Sequence, residues 1–211
     1  MTVLPRLASA LGRRNQAPNL KLALEIVTTN DAKAVKELIE NLSNKDRAIR
    51  NDCLKVLYEI GYRGPGLIAA YTAEFAKLLL SKDNRLVWGG MTALDSIASV
   101  DQKGVYGLLE QIVQSANGGS VITRDHAVGI LAKLAAIEDY RETCLPILLQ
   151  QLEGSPDNQF PSYVEISIPV VGRADRGAFT KLVEKRLASL EKESQRRRVE
   201  KALRALSGAD S

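Results

Sequence analysis

The sequence predicts an all-α fold, a solenoid of stacked antiparallel helix pairs, and three observations carry that prediction. Aliphatic residues return at a constant interval of 37 positions. The stretches between them alternate helical apolar spacing with short polar turns. Aromatic residues make up only 5% of a chain that is 45% hydrophobic. With few aromatics and abundant Ala and Leu, helices packed through small and branched side chains are favoured over a β-sandwich, which draws on Val, Tyr, Phe and Thr.

The interval is read from several columns at once. A step of 37 from Leu57 reaches Leu94, Leu131 and Ile168, and the same step from Ile60 reaches Ile97, Leu134 and Val171. Leu54 leads to Met91 and Val128, while Gly61 leads to Ala98, Ala135 and Gly172, all small. Stepping backwards gives Leu20 and Ala23, so NLKLALEIV is expected to be half a unit. One apolar column would be unremarkable in a chain this apolar, but several columns in one register record an interface. A two-helix unit cannot bury its apolar stripe alone, and stacking neighbours reuses one spacing for every unit.

Each unit divides into two helical patterns with apolar positions at i, i+3, i+4 and i+7. First helices are expected at 32–42, 73–80, 105–114, 144–152 and 178–190, and second helices from about Asp46, Asp83, Val121, Pro161 and Gln195. The turns SNKD, SKDN, SANGGS, GSPDNQ and EKESQ supply Ser, Asn and Asp side chains that accept orphan N–H groups at a helix start, worth about 1 kcal/mol each. Gly61, Gly64, Pro65 and Gly66 are expected to end the second helix of their unit, Gly through a left-handed cap and Pro because it cannot continue a helix. VEISIPVV, β-branched and broken by Pro169, is the weakest helical pattern. With no Pro/Ser-rich linker, residues 1–211 read as one body. N-terminal capping helices occupy 1–30, and five units of about 37 residues follow at 31–66, 67–104, 105–142, 143–177 and 178–206.

Asp46, Ile49, Arg50, Leu57, Ile60 and Gly61 together resemble the HEAT repeat of the armadillo-like helical-repeat proteins. The second unit keeps Asp83, Leu94 and Ile97 but has Val87 in the Arg slot. The third recovers Arg124 with Ser120 in place of the turn Asp, and the fourth drifts, with Pro161. The resemblance covers roughly residues 20–206. It implies structural ladders between the turn Asp and the Arg of neighbouring units, a kink at Pro146, and second helices lining a concave side. It is nearly silent on activity. HEAT-like arrays include bacterial alkylpurine DNA glycosylases, richer in aromatics around a catalytic Asp than this chain, where Asp95 is the one counterpart. Related helical repeats also occur in bilin lyase subunits.

Few sites for chemistry stand out. His126 is the single histidine, so a Ser-His-Asp or Cys-His arrangement has no visible framework, and with two Cys 91 residues apart a closed zinc site of N/S ligands is excluded. There is no Walker loop, dinucleotide fingerprint or HExxH motif, and no cofactor is expected. No run reaches the roughly 20 apolar residues of a membrane span. Cys53 and Cys144 lie within apolar helical patterns, as buried free thiols do, which points to a cytoplasmic protein. The first 21 residues contain Arg6, Arg13, Arg14 and Lys21 and no acid, a composition shared with transit peptides, although a short amphipathic capping helix is the favoured expectation.

Trp88 is the residue most suggestive of recognition. Its column holds Asn51, Asp125 and Ser162, all polar, so that face of the second helix is expected to be exposed, and exposed Trp and Arg dominate interface hot spots. The alternative is a Trp folded over a gap left by Gly89 and Gly90. Arg47, Arg50, Asn51, Lys55, Trp88, Arg124 and Asp125 together form the expected protein- or peptide-binding face of a non-catalytic scaffold. Nucleic acid is the alternative partner. The net charge is +4, yet residues 173–206 alone hold eleven Lys/Arg against five Asp/Glu. Within them Arg196, Arg197, Arg198, Lys201 and Arg204 form either a phosphate-binding patch or, in the favoured reading, the solvated cap that a terminal repeat needs.

Overall fold

The computed structural model describes residues 2–208, and all secondary structure among them is helical. The helices are α1 (Ala17–Thr29), α2 (Ala32–Glu40), α3 (Arg47–Arg63), α4 (Thr72–Leu78), α5 (Asn84–Ile97), α6 (Gln102–Tyr106), α7 (Leu109–Gly118), α8 (Val121–Ala135), α9 (Glu138–Glu153), α10 (Phe160–Ser167), α11 (Arg176–Leu187) and α12 (Glu193–Gly208). The chain forms two compact units, residues 1–127 and 128–211, with the boundary inside α8.

In the first unit α3 is the hub. It packs against α1 on one side and α5 on the other, with α2 beside α3 and α4 beside α5. The expected seam is its core: Leu54, Leu57, Ile60, Met91, Leu94 and Ile97 are all buried. Helix starts follow the expected chemistry. Asp46 accepts from the backbone N–H groups of Ala48 and Ile49, and Asp83 from Arg85. Asp31 caps α2 and Asp101 caps α6 in the same way. Ser120 accepts from Thr123 N–H at the start of α8. First helices are also tied together, since Gln111 on α7 donates to the Ala76 carbonyl of α4 at 2.7 Å.

Several local expectations are corrected. Gly61 does not end α3, which continues to Arg63. It is small because α5 comes close: a Cβ there would run into Ser96 and sit 2.9 Å from Ile68 Cδ1. Gly64 caps α3 at φ −152°, not in the left-handed region, whereas Asn30 at φ 52° gives α1 a left-handed cap. The first helix expected at 105–114 is two helices, because Leu108 N–H turns to the i−3 carbonyl of Val105 and ends α6 tightly. The turn SANGGS shrinks to its last two residues, with 115–118 still helical in α7.

Ahead of α1 there is a 3-10 turn, Leu4–Arg6, rather than an amphipathic helix. This segment is fastened by polar groups: Ala8 N–H donates to Asn19 Oδ1 at 2.9 Å, Ser9 N–H to Asp52 Oδ2 at 2.7 Å, and Asn19 Nδ2 to Asp52 Oδ1 at 2.8 Å. Asn19 and Asp52 are buried, and such groups are tolerated inside only when their hydrogen bonds are made. Leu20, the backward step from Leu57, is exposed, while Ala23 is buried.

In the second unit α9 packs on α10 and α11, and α12 on α10 and α11. Leu131, Leu134, Leu148, Phe160, Tyr163, Phe179 and Val199 form its core. Pro146 is held inside α9. α10 ends at Ser167 in the 3-10 turn Ile168–Val170, where Pro169 has no N–H to extend the ladder. Ile168 is accordingly half-exposed and, like Leu20 of the same column, outside the core, whereas Val171 is buried. Arg186 fastens the α9–α10 turn, donating to the Ser155 carbonyl at 3.0 Å and Asp157 at 2.9 Å with its guanidinium 4.8 Å from the Phe160 ring centre.

Leu57→Ala or Leu94→Ala is expected to cost about 2–5 kcal/mol of unfolding free energy, read as a lower urea midpoint. Gly61→Ala should cost about 1–3 kcal/mol by overpacking. Adding Ser96→Gly should recover part of that loss, although Ser96→Gly alone destabilises by about 1 kcal/mol.

Candidate functional site

The second helices α3 and α5 and the start of α8 present one polar face within the first unit, and the face is built on helical spacing. Lys55, Tyr58, Glu59, Tyr62 and Arg63 recur at i, i+3, i+4, i+7 and i+8 along α3. Trp88 and Asp95 stand seven residues apart on α5. Packing α3 against α5 sets Tyr58 beside Trp88, with ring centres 6.0 Å apart at 55°. Tyr62 meets Tyr58 edge-on at 6.2 Å. Tyr58 is buried, Trp88 half-buried and Tyr62 53% exposed, so in the row Tyr62–Tyr58–Trp88 the middle ring lies in the helix seam and the two ends reach solvent. Lys55 Nζ lies 4.6 Å from the Tyr58 ring centre, and Arg85 lies 6.0 Å from that of Trp88, both within cation–π range.

Gly89 and Gly90 leave no gap for Trp88 to fold over. A Cβ on Gly89 would sit 2.5 Å from Leu54 Cδ2, and one on Gly90 would sit 3.0 Å from the Phe75 carbonyl. The glycines admit the neighbouring helices, and Trp88 is left on the face.

Of the residues expected here, Arg47 and Arg50 converge on Asp83 of the next helix pair, at 3.2 and 3.5 Å, and Arg50 also donates to the Asn44 carbonyl at 3.3 Å. This is the Asp–Arg ladder implied by the repeat, and it engages both arginines. Lys55 pairs with Glu59 at 2.7 Å, and Arg63 closes on the same carboxylate. Arg124 and Asp125 are half-buried on α8. The Nε atoms of Arg50 and Arg124 and Asn51 Oδ1 are buried without a hydrogen-bond partner among the described residues. His126, outside the expected set, meets Asp95 of α5 with Nδ1 and Oδ2 2.7 Å apart.

The patch expected on α12 is dispersed. Arg198 is held by Glu165 and Ser162, at 2.7 and 3.1 Å, and Arg197 by Glu193 at 2.9 Å. Lys201 and Arg204 are exposed and Arg196 half-buried. Tyr58, Tyr62 and the Lys55–Glu59–Arg63 array were missed in the sequence, although the i, i+4 spacing of the two tyrosines was the signal for them.

Burial acts first on the ionisable groups. It raises the Cys53 and Cys144 thiols, to about 12 and about 11, which keeps both protonated and poorly nucleophilic. Partial burial, then Asp95, Tyr58 and Glu59, push the Tyr62 hydroxyl up to about 12. For Glu59 burial opposes the charge, but the hydrogen bonds and charges of Lys55 and Arg63 outweigh it, and the carboxyl titrates below its ordinary value. Among the described residues no group of three or more His, Cys, Asp or Glu side chains is placed to hold a metal ion, and no helix is long and apolar enough to cross a membrane.

No protein-family model matches the chain, and no curated protein matches it in sequence. Solved structures do match in fold. The chain has an armadillo/HEAT-like helical-repeat fold. A designed armadillo repeat protein in complex with the peptide (KR)4 superposes with a TM-score of 0.69 at 17% identity, covering 96% of this chain and 99% of its own. A computationally designed armadillo repeat protein for modular peptide recognition gives 0.67 at 17% identity, covering 90% and 92%. An engineered protein solved by the Northeast Structural Genomics Consortium gives 0.65 at 18% identity over 99% and 98%.

Because the folded-state pKa of Glu59 lies below its unfolded value, its contribution to stability is full above the unfolded pKa and is lost as the pH falls through the folded one. Glu59→Gln should therefore be less stable than the parent at neutral pH. The gap should close on acidification below about pH 4, measured as urea midpoints across a pH series.

Proposed function

We propose that the protein is a non-catalytic scaffold or adaptor that holds a protein or peptide segment on the face formed by α3, α5 and the start of α8. The observation that carries this reading is the Tyr62–Tyr58–Trp88 row: three aromatic rings in edge-on and tilted contact across two helices, the outer two accessible, with a cation over the faces of Tyr58 and Trp88. Aromatic side chains supply large contact area at low entropic cost, and packing Trp88 between neighbours pre-orders it for a partner. The armadillo-like fold supports the reading, because one similar protein was designed for modular peptide recognition and another was solved with a peptide bound. Arg50, Asn51, Lys55, Arg124 and Asp125 belong to this face and position or border the bound segment, and Arg47 stands at its edge.

The nucleic-acid alternative draws on Arg196, Arg197, Arg198, Lys201 and Arg204. Two of these five are committed to carboxylates on α10 and α12 itself, as a solvated terminal cap would have them.

Selection from a random-peptide display library tests the proposal. Peptides enriched on the folded protein should lose about tenfold or more in affinity to Trp88→Ala. Enriched peptides that are indifferent to Trp88→Ala and to Tyr62→Ala would place binding elsewhere.

A further inference from the structure

We propose that the partner segment is acidic, and that its carboxylates dock in the groove beside Trp88 lined by Arg47, Lys82, Asp83, Asn84 and Arg85; this deepens the peptide-scaffold reading and rests on it. The groove is shallow and largely open to solvent, with a volume of about 630 Å3. Its character comes from a charge imbalance that the repeat itself creates. The turns before α3 and α5 carry Lys45-Asp46-Arg47 and Lys82-Asp83-Asn84-Arg85, with Lys45 and Asp46 one interval ahead of Lys82 and Asp83.

Both turn carboxylates are committed. Asp46 accepts from Ala48 and Ile49 N–H, and Asp83 accepts from Arg85 N–H while Arg47 and Arg50 lie on its other oxygen. Arg47 and Arg50 thus share the Asp83 carboxylate, while Lys82 and Arg85 line the same edge. Among the described residues no carboxylate lies within ion-pair distance of Lys82 or Arg85. The positive ends of the α3 and α5 dipoles point to the same edge. Trp88 forms the apolar wall of the groove.

A ligand complementary to this groove carries at least two negative charges next to an apolar or aromatic side chain. Two classes have that chemistry, acidic peptide and single-stranded nucleic acid, and the rest of the face favours the peptide. Past Trp88, Lys55 and Arg63 of α3 are already paired with Glu59, and Asp95 of α5 faces His126. Lys82 and Arg85, the groove's cations without a carboxylate among the described residues, are thus confined to the turn edge, with no basic track to follow a continuous phosphate chain along the helices, whereas a short acidic peptide segment needs only that edge. The three rings of the face are also no run of open platforms, since Tyr58 is buried and its neighbours meet it edge-on or tilted, where nucleic-acid grooves use successive exposed aromatic faces.

Trp88 is the sole tryptophan of the chain, so its emission reports directly on this groove. The probe is the peptide acetyl-Glu-Glu-Phe-Asp-Glu-amide, compared with its Lys-for-acid counterpart and with oligo-dT, each titrated against the full chain. The acidic peptide should change Trp88 emission saturably, and raising salt from about 0.05 to 0.5 M should weaken it several-fold. The exposed double substitution Lys82→Ala with Arg85→Ala should weaken it about tenfold while leaving the melting temperature unchanged. The basic peptide should leave the emission unchanged.

The library selection separates this inference from the broader one. Neutral or basic peptides whose binding needs Trp88 would overturn the acidic specificity and keep the scaffold. Absence of any Trp88-dependent peptide would overturn both. Saturable oligo-dT binding tighter than the acidic peptide, and sensitive to the same double substitution, would reassign the groove to nucleic acid.

Discussion

The close approach of α3 and α5 is the constraint on which the first unit depends. Gly61 and Gly89 sit where the two helices meet, and the space a Cβ would need is filled by Ser96 and Leu54. Packed interiors have little slack, so a methyl group at either position pushes the helices apart. Their spacing governs more than burial. It sets Tyr58 against Trp88 at 6.0 Å, and it brings Arg50 within reach of Asp83. The aromatic row and the ion-pair ladder are consequences of one helix separation.

Electrostatics divides the same face along the helix axes. At the N-terminal ends the turn aspartates serve twice, as caps for α3 and α5 and, through Asp83, as an acceptor for two arginines of α3. That double duty leaves lysine and arginine in excess at the turn edge. Toward the C-terminal ends the charges balance locally, with Glu59 between Lys55 and Arg63, and Asp95 against His126. A segment lying along the helices would pass from a cationic edge, over aromatic rings, to a neutralised polar zone.

Very different devices hold the ends of the chain. The N-terminal segment is bound by a buried polar network, in which Asn19 and Asp52 each satisfy more than one partner. α12 instead uses charge on a half-exposed surface, with Arg198 reaching Glu165 and Ser162. The first is costly to break because it would leave buried polar groups unpaired, and the second contributes little to stability.

By itself the sequence determined the all-α class, the 37-residue register, the Leu57, Ile60, Leu94 and Ile97 seam and the capping aspartates. Each of these rests on local spacing or on a repeat that one interface imposes on all units. It did not reveal why Gly61 is small, that residues 105–114 break into α6 and α7, or that Asp95 and His126, 31 residues apart, would meet. Those outcomes depend on where a neighbouring helix lands, and side chains from different elements converge only after the seam has fixed the helix separation. The Tyr58–Trp88 contact is of that kind: a face could be read from helical period, but its neighbours across the groove were decided by tertiary packing.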